Sequence, residues 1–536
     1  MIAGIIGFFF LVQLHEKLKL KKNYYQALVE INQQEITFLE TGEASFEGGE
    51  IHHEAQHFYA QDLDFFGTSS LFQFLNRTAL VIGEQKLALH LKNLATKNEI
   101  LLRQEAIKEL NTKLDWRQSY WAMAKVGQEK EKTYKSLLLW SKQELKHPAT
   151  FYRVLGFALP TFLFISIAVT YLLPGQFWGS LIQPLIITDL FVAFSQVKYI
   201  RNELQYSDEI KNSLKSYAYL FTQIENETFE SEKLTNLQKQ LKQNGKSASK
   251  ATGELAKIYA NLDNVSNPFG AILFNALTLY HVHSLHKLKL WKARYAPSIE
   301  QWIQVLGEFE ALNSLSNFSY NNPEFAFPSL DESKGIEFTK LGHPLIDERK
   351  RVCNNVSFKD NRFIILTGSN MSGKSTFLRS LGINMVLGQI GAPVCANQAN
   401  IIPMPVLVSM RVSDNLSEGE SFFFAEVKRL KQIMNSARKE RSFVLLDEIL
   451  RGTNSDDKRT GTIEVIKNII QEETIGAIAT HDLKVCDTTN QYPTILTNKC
   501  FEVEIEHNEL VFDYQLREGI CKNKSATFLM KKMGVI

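Results

Sequence analysis

The sequence predicts an α + α/β protein, in which a long helical region precedes a sheet domain with interleaved helices. Leu-, Lys-, Glu- and Gln-rich segments with helical spacing fill most of residues 15–320. An uncharged apolar stretch interrupts them at residues 154–188. From about residue 321, short β-branched runs alternate with helical segments, which is typical of a sheet with helices packed on it.

The composition excludes several classes of protein. Of the 536 residues, 44% are hydrophobic and 22% are charged, which excludes wholesale disorder, collagen and a disulfide scaffold. The 60 basic and 58 acidic side chains leave a net charge of +2, so the strongly basic surface of a non-specific DNA binder is not indicated. The five cysteines form no C-x-x-C pair, which favours a reducing, cytosolic setting.

The first fourteen residues, MIAGIIGFFFLVQL, are apolar. They lack a basic start and a small-residue cleavage site, so a cleaved signal peptide is not expected. They are also shorter than the roughly 20 residues of a membrane span. Three interpretations stay open, namely a truncated membrane helix, an interfacial anchor and the start of a buried helix.

Residues 154–188 contain no Asp, Glu, Lys, Arg or His. The stretch divides at Pro174-Gly175 into two segments, 154–173 and 177–197, each long enough to cross a hydrocarbon core of about 30 Å. Basic residues flank only the outer ends, so the positive-inside rule places both ends in the cytoplasm. We therefore expect a transmembrane hairpin in the cell membrane, with the C-terminal domain on the cytoplasmic side. The alternative is a buried helical hairpin, and Asp189 within the second segment favours it.

Long helices are expected on both sides of this hairpin. Residues 118–144 and 198–244 lack proline and are rich in helix formers, and the second segment would be about 70 Å long as a single helix. The polar run GKSASKATG at residues 245–253 predicts a turn or a short linker. Helical periodicity then resumes up to Asn321.

A phosphate-binding loop is predicted where the sheet region begins. The segment GSNMSGKST follows the strand-like FIILT, precedes a helix-like segment and fits G-x-x-x-x-G-K-[ST]. In this motif backbone N–H groups surround the phosphates, Lys374 reaches the β- and γ-phosphates, and the Ser375 hydroxyl ligates Mg²⁺. The predicted nucleotide-binding residues are Gly368, Asn370, Met371, Ser372, Gly373, Lys374, Ser375 and Thr376.

Two later strands end in residues that suit ATP hydrolysis. The buried strand FVLLD ends at Asp447, predicted to hold the Mg²⁺ shell, and Glu448 follows as the residue that orients or deprotonates water. His481 follows the strand IGAIA, where its imidazole could sense a γ-phosphate. Between the loop and the acids, Gly419 and Ser421 begin a helix of the kind that binds anions. The pattern predicts an ATPase that uses ATP and Mg²⁺.

These segments resemble the MutS family of DNA mismatch-repair ATPases, relatives of ABC-type nucleotide-binding domains. The resemblance rests on TGSNMSGKSTFLRSLGINMVLGQIGAPVCA, SEGESFFFAEV, LLDEILRGTNSDD and ATH, and further upstream on DLDFFGTSSLFQFLNRTALVIGEQKLALHL, and it covers about 350 residues. It implies a homodimer in which the Gly419–Ser421 segment of one subunit contacts the nucleotide of the other. It also implies handling of DNA mismatches or DNA structures, and an ABC-type fold for the P-loop domain.

The sequence departs from the family pattern in ways that leave two functions open. We expect no mismatch-reading domain, no Phe-x-Glu wedge and, in place of the DNA clamp between the long helices, the apolar hairpin. DNA binding should therefore be weak and poorly mismatch-specific. The alternative is a membrane-tethered mechanical ATPase that acts on a protein or lipid partner without DNA. The predicted division of the chain is 1–14, 15–150, 151–197, 198–320 and 321–536.

Overall fold

Helices dominate the chain up to Asn321 and strands follow, as the sequence predicts. The structure is a computed structural model that describes residues 2–43, 45–143, 151–173, 176–204, 207–243, 246–263, 268–410, 422–506, 509–522 and 530. The chain divides into two compact units. The first comprises Met1–Gln33, Thr78–Glu84 and Leu114–Glu310, and the second comprises Gln34–Arg77, Gln85–Lys113 and Ala311–Ile536.

The bounds of the elements are as follows. The helices are α1 (Ile2–Thr41), α2 (Leu71–Leu75), α3 (Val81–Lys92), α4 (Lys97–Asn111), α5 (Leu114–Gly127), α6 (Glu131–Lys142), α7 (Phe151–Leu172), α8 (Gln176–Ser195), α9 (Val197–Leu204), α10 (Ser207–Asn226), α11 (Glu232–Gln240), α12 (Ala248–Asp263), α13 (Pro268–Thr278), α14 (Tyr280–Asn321), α15 (Lys374–Gln389), α16 (Phe422–Ala437) and α17 (Ser455–Gln471). The strands are β1 (Lys242–Gln243), β2 (Lys246–Ser247), β3 (Glu337–Leu341), β4 (Asn354–Ser357), β5 (Phe363–Gly368), β6 (Gln398–Asn400), β7 (Val406–Ser409), β8 (Phe443–Asp447), β9 (Ile475–Ala479), β10 (Leu496–Phe501), β11 (Glu504–Glu506), β12 (Glu509–Val511) and β13 (Leu516–Glu518).

The prediction of one long helix over residues 198–244 is wrong. The chain leaves the helical conformation between α10 and α11 and reaches only Gln240 as a helix. At the break, Phe229 is buried between the rings of Trp116 and Phe309, whose centroids lie 5.6 and 5.5 Å from its own. The side chain of Gln238 donates to Ile224 O near the end of α10 and to Glu227 O just beyond it, both at 2.7 Å. Aromatic packing and capping thus replace the helical hydrogen bonds that the break removes.

The predicted helix over residues 118–144 is also interrupted, because α5 and α6 are separate helices. Gln128 takes a left-handed φ of 44° at the break. The turn directs the carboxylate of Glu129 to the N–H of Val81, at 2.9 Å, where α3 begins. The break therefore supplies a cap for the start of another helix.

The predicted turn at residues 245–253 is wrong over most of its length, because α12 begins at Ala248. Glu225 on α10 accepts hydrogen bonds from the N–H and the hydroxyl of Ser249, at 3.1 and 2.5 Å. A carboxylate at a helix N-terminus pairs with free N–H groups and with the positive end of the helix dipole. This distant acid converts a polar run into the first turn of a helix.

The two apolar helices predicted for the hairpin are present as α7 and α8. Phe151–Leu172 and Phe177–Arg201 are candidate membrane spans by length and composition alone. Only 22% and 17% of their most apolar windows are buried within the structure. Asp189 lies on the buried side of α8 and is 0% exposed. The one acidic side chain of α7 and α8 therefore does not face outward.

The second unit contains a six-stranded sheet in the order β13-β10-β5-β9-β8-β7. Its pairs are parallel except the one between β10 and β13. Helices α16 and α17 pack with one face of the sheet in a cluster that includes Leu430, Ile433, Val444, Ile466 and Ile478. Parallel strands covered in this way are typical of α/β domains, and their carboxyl ends meet at one edge.

Two acids of the first unit cap α3 and give the protein a pH dependence. Glu310 is 1% exposed and accepts hydrogen bonds from the N–H groups of Ala79 and Leu80, the latter at 2.8 Å. Burial raises the pKa of Glu310 to about 8 and that of Glu129 to about 7. A folded-state pKa above the ordinary 4.5 adds stability that is fully present below that value and is lost as pH rises through 7 to 8.

We therefore expect the melting temperature of the purified protein to fall between about pH 5 and pH 8. Glu310→Gln should flatten this dependence, because the amide carries no titrating proton. Glu131→Gln is the control, since Glu131 is an exposed carboxylate on α6 paired with Lys135. An unchanged pH slope in Glu310→Gln would show that another group causes it.

Candidate nucleotide-binding site

The phosphate loop lies between β5 and the start of α15, at the carboxyl edge of the sheet. Gly368, Met371 and Gly373 have φ values of 154°, 66° and 104°. A Cβ atom on Gly368 would lie 2.6 Å from Ser372 Oγ and 2.9 Å from Phe501 O. The two glycines let the backbone curl tightly here, as phosphate contact by N–H groups requires.

Lys374 occupies the interior of this loop. Its Nζ donates to the carbonyls of Gly368 and Ser369, both at 2.9 Å, and lies 3.4 Å from His481 Nε2. The residue is 5% exposed, and burial lowers its pKa. The ammonium group is therefore fixed within the curl of the loop, where an anion could exchange for the two carbonyls.

Strand register brings the predicted Mg²⁺ ligands together. Asp447 on β8 pairs with Ala479 on β9, which pairs with Leu366 on β5, so the three strand ends are level. The Ser375 hydroxyl donates to Asp447 Oδ2 at 2.6 Å. A hydroxyl and a carboxylate are the oxygen ligands that Mg²⁺ takes in such sites.

Several polar side-chain atoms around the loop are buried and have no hydrogen-bond partner within the described part of the chain. These atoms are Asp447 Oδ1, Ser369 Oγ and Ser372 Oγ. In the same part of the chain no group of three or more His, Cys, Asp and Glu side chains is placed to hold a metal ion. The residues fit a Mg²⁺ ion that takes its remaining ligands from phosphate and water, as Mg²⁺ commonly does.

Glu448 forms a close pair with the predicted sensor histidine. Glu448 Oε1 lies 2.5 Å from His481 Nε2, and Arg451 lies 3.6 Å from the other carboxylate oxygen. The hydrogen bond with His481 and the nearby positive charges lower the pKa of Glu448 to about 2. Its backbone is left-handed, with φ 48°, and its N–H donates to Ala479 O at 3.0 Å. The side chain is thus an oriented carboxylate, the form that can accept a proton.

The remaining predicted site residues differ in position. Asn370, Met371 and Thr376 are exposed around the phosphate loop. Gly419 and Ser421 lie outside the described residues. Asp482, which follows His481, is paired with Arg459 on α17 at 2.6 Å.

Sequence reasoning missed Tyr514. A Cβ atom on Gly373 would lie 3.1 Å from its ring, and the ring stacks with Phe512 at an interplanar angle of 14°. Tyr514 is 42% exposed, so an aromatic face stands beside the phosphate loop. Asn354 holds this segment by accepting from Leu516 N and donating to Tyr514 O. No motif marks Tyr514, because a strand pairing far along the chain brings it to the loop.

Glu426 was also missed, although it lies within the quoted segment SEGESFFFAEV. It is 3% exposed on α16 and accepts hydrogen bonds from the N–H groups of Leu450 and Arg451, at 2.7 and 3.0 Å. A Cβ atom on Gly452 would lie 2.8 Å from Phe423 Cβ. The start of α16 is therefore clamped to the loop that follows Glu448.

Part of this chain, including the P-loop region, is similar to known proteins. Residues 364–535 match the family model described as MutS domain V. The DNA mismatch repair protein MutS of Prochlorococcus marinus (strain AS9601) is 36% identical over 237 residues, which cover 41% of this chain and 25% of that protein. The protein of the same name from Bacillus subtilis (strain 168) is 32% identical over 240 residues, which cover 42% and 27%. The chain thus matches about a quarter of the length of these relatives.

Proposed function

From the premise that this chain is a MutS-family protein carrying a domain V, we propose that it is an ATPase attached to the cell membrane that works as a homodimer. The observation that carries this proposal is the convergence of Lys374, Ser375, Asp447, Glu448 and His481 at one edge of the sheet, linked by contacts of 2.5 to 3.4 Å. We propose that this site hydrolyses ATP and couples hydrolysis to a conformational change.

Each residue then has a distinct role. Lys374 exchanges its carbonyl partners for the β- and γ-phosphates, and the N–H groups of the loop surround the phosphates. Ser375 and Asp447 would hold Mg²⁺, which would neutralise phosphate charge. Glu448 accepts a proton from the attacking water. His481 orients the Glu448 carboxylate and contacts the γ-phosphate. The aromatic face of Tyr514 is placed for contact with the nucleotide.

The dimer is proposed from the family resemblance. Gly419 and Ser421 would contact the γ-phosphate bound by the partner subunit, so each site would need both chains. The clamp from Glu426 to Leu450 and Arg451 supports this arrangement, because it ties the helix that follows Ser421 to the hydrolysis loop of its own subunit.

Membrane attachment is proposed from the hairpin of α7 and α8. Both helices are long and uncharged over most of their length, and outward-facing side chains such as Phe157, Phe164 and Phe191 are 51 to 75% exposed. Water would meet a large apolar surface here, whereas lipid matches it. Basic residues at the outer ends of the hairpin support a cytoplasmic position for the ATPase domain.

The apolar start of α1 also supports membrane attachment. Phe10 and Leu11 are 65% and 62% exposed, which disfavours the interpretation of a buried helix start. Glu16 of α1 lies 3.4 Å from Lys215 of α10. Further along both helices, Tyr24 and Gln223 each donate a hydrogen bond to the hydroxyl of Ser119. Helix α1 therefore runs parallel to α10. Its first turns therefore point toward the beginning of α10, the end nearer to the hairpin along the chain. We propose that residues 1–14 contact the membrane surface.

For the substrate we propose DNA, bound weakly and with little discrimination of mismatches. Phosphate contacts supply affinity, but discrimination requires base or deformability readout. We expect less than about tenfold preference for mismatched over matched duplex, since tenfold already requires about 1.4 kcal/mol. The alternative function, a mechanical ATPase acting on a protein or lipid partner, is favoured by the net charge of +2.

The test is ATP hydrolysis by the detergent-solubilised protein with matched and mismatched duplexes across a salt series. We expect DNA stimulation at low salt that falls steeply as salt rises, and Lys374→Ala should be inactive throughout. A preference for mismatched duplex well above tenfold would instead support mismatch recognition of the kind used in DNA repair. Hydrolysis without any DNA binding at low salt would favour the mechanical alternative.

A further inference from the structure

Helix α13 is a third uncharged apolar segment, which the sequence analysis did not single out. It comprises Pro268–Thr278, and no charged residue or histidine occurs from Asn264 to Tyr280. At 1.5 Å per residue its 11 residues span about 16 Å, roughly half of a 30 Å hydrocarbon core. It is therefore too short to cross a membrane.

This helix packs against the proposed transmembrane hairpin. It contacts both α7 and α8. Just beyond its end, Leu279 and Val282 are buried in one cluster with Val192 and Ala193 of α8. The ring of His283 lies 3.0 Å from Gly156 O on α7. Helix α13 and the start of α14 thus lie beside the hairpin within one packed group.

Much of the described surface of α13 is apolar and exposed. Ile272, Leu273 and Phe274 are 47%, 58% and 50% exposed, whereas Asn275 and Ala276 are 4% and 8% exposed. Three consecutive large hydrophobic side chains are exposed here, beside two helices with exposed phenylalanines, and together they present a large apolar surface. A lipid environment removes the cost of exposing it to water.

The backbone turn after α13 is closed by internal hydrogen bonds. Leu279 has a left-handed φ of 46° and donates to Asn275 O at 3.1 Å. The N–H of His281 donates to Asn275 Oδ1 at 3.1 Å, and Asn275 Nδ2 lies 2.6 Å from His281 Nδ1. The N–H of Val282 donates to Leu279 O at 3.0 Å. Backbone polar groups at membrane depth must be satisfied within the protein, and this turn meets that condition.

We propose that α13 is a re-entrant membrane helix, which lies in the cytoplasmic leaflet beside the hairpin without crossing the membrane and joins α14 at the turn at Leu279, near the cytoplasmic ends of α7 and α8. Its partner is lipid, contacted through Ile272, Leu273 and Phe274. The proposal rests on the proposed membrane hairpin. It makes the membrane part of each subunit a three-helix group, with α13 connecting directly into α14 at the turn.

The test measures the depth of single spin labels in vesicles of phosphatidylethanolamine and phosphatidylglycerol. The full chain carries Cys353→Ser, which removes the partly exposed cysteine, because the other four are buried. Leu273→Cys reports α13, Phe164→Cys reports the hairpin, and Leu101→Cys on α4 reports an exposed site outside the apolar helices. Relaxation of each label by oxygen and by a water-soluble nickel chelate is compared.

The label at Leu273 is expected to behave like that at Phe164, with nickel accessibility lower than at Leu101 by about tenfold, because charged solutes are excluded from the hydrocarbon region. Nickel access at Leu273 equal to that at Leu101, with Phe164 still shielded, would overturn the re-entrant helix and leave the hairpin standing. Nickel access at both would overturn the hairpin and the inference together. Shielding of Leu273 from both oxygen and nickel would show a protein partner, a second copy or another chain, and would overturn the lipid assignment. Phe274→Cys serves if Leu273→Cys does not elute like the parent protein.

Discussion

Glu448→Gln is expected to bind ATP with parent affinity and to hydrolyse it about 10²- to 10⁴-fold more slowly. The carboxylate is ionised and oriented by His481, and an amide of the same size keeps the shape of the site but cannot accept a proton. The measurement combines nucleotide binding at equilibrium with single-turnover hydrolysis. Binding and chemistry are thereby separated.

The matched control is Glu464→Gln, which removes an exposed carboxylate on α17 that pairs with Lys467 at the surface. It should hydrolyse ATP at the parent rate. Lys374→Ala should instead lose ATP binding itself, because the buried ammonium is removed from the phosphate loop. Parent-rate turnover by Glu448→Gln would mean that another group activates water.

The second large effect concerns membrane partition. The full chain should remain with membranes after alkaline extraction, because two spans of apolar helix are held by the hydrocarbon core. Deleting residues 154–197 together with residues 1–14 should transfer the protein to the supernatant. Helix α13 alone would not prevent this release, since it is too short to span.

Retained ATP hydrolysis in the released protein would show that it left the membrane as a folded molecule. The opposite result is an intact chain that is monodisperse in buffer without detergent. That result would favour the buried-hairpin alternative and would remove membrane attachment from the proposed function.

The sheet domain was predictable because its signals are local. A buried strand that ends in glycine or in an acid fixes where the chain leaves the sheet, so β5 and β8 end where the sequence predicts. Parallel pairing then brings the predicted residues Lys374, Ser375 and Asp447 together without further information. The resemblance to the MutS family is confirmed by the match over residues 364–535. The predicted roles of the site residues and the five-part division of the chain remain predictions.

The helical region was less predictable, because its breaks depend on distant partners. No glycine or proline occurs around Phe229 to mark a helix stop. The break exists because Trp116 and Phe309, far away in sequence, enclose the ring. Tyr514 was missed for the same reason, since only tertiary packing places it beside Gly373.

The clamp made by Glu426 has a consequence for the timing of the two sites in the proposed dimer. Because its carboxylate holds the N–H groups of Leu450 and Arg451, a pull on α16 is transmitted to the loop whose Arg451 touches Glu448. A partner's nucleotide that draws in Ser421 would then shift the hydrolytic carboxylate of the same chain. The two sites would then hydrolyse ATP alternately, because the nucleotide bound at one site would determine when the other site can react.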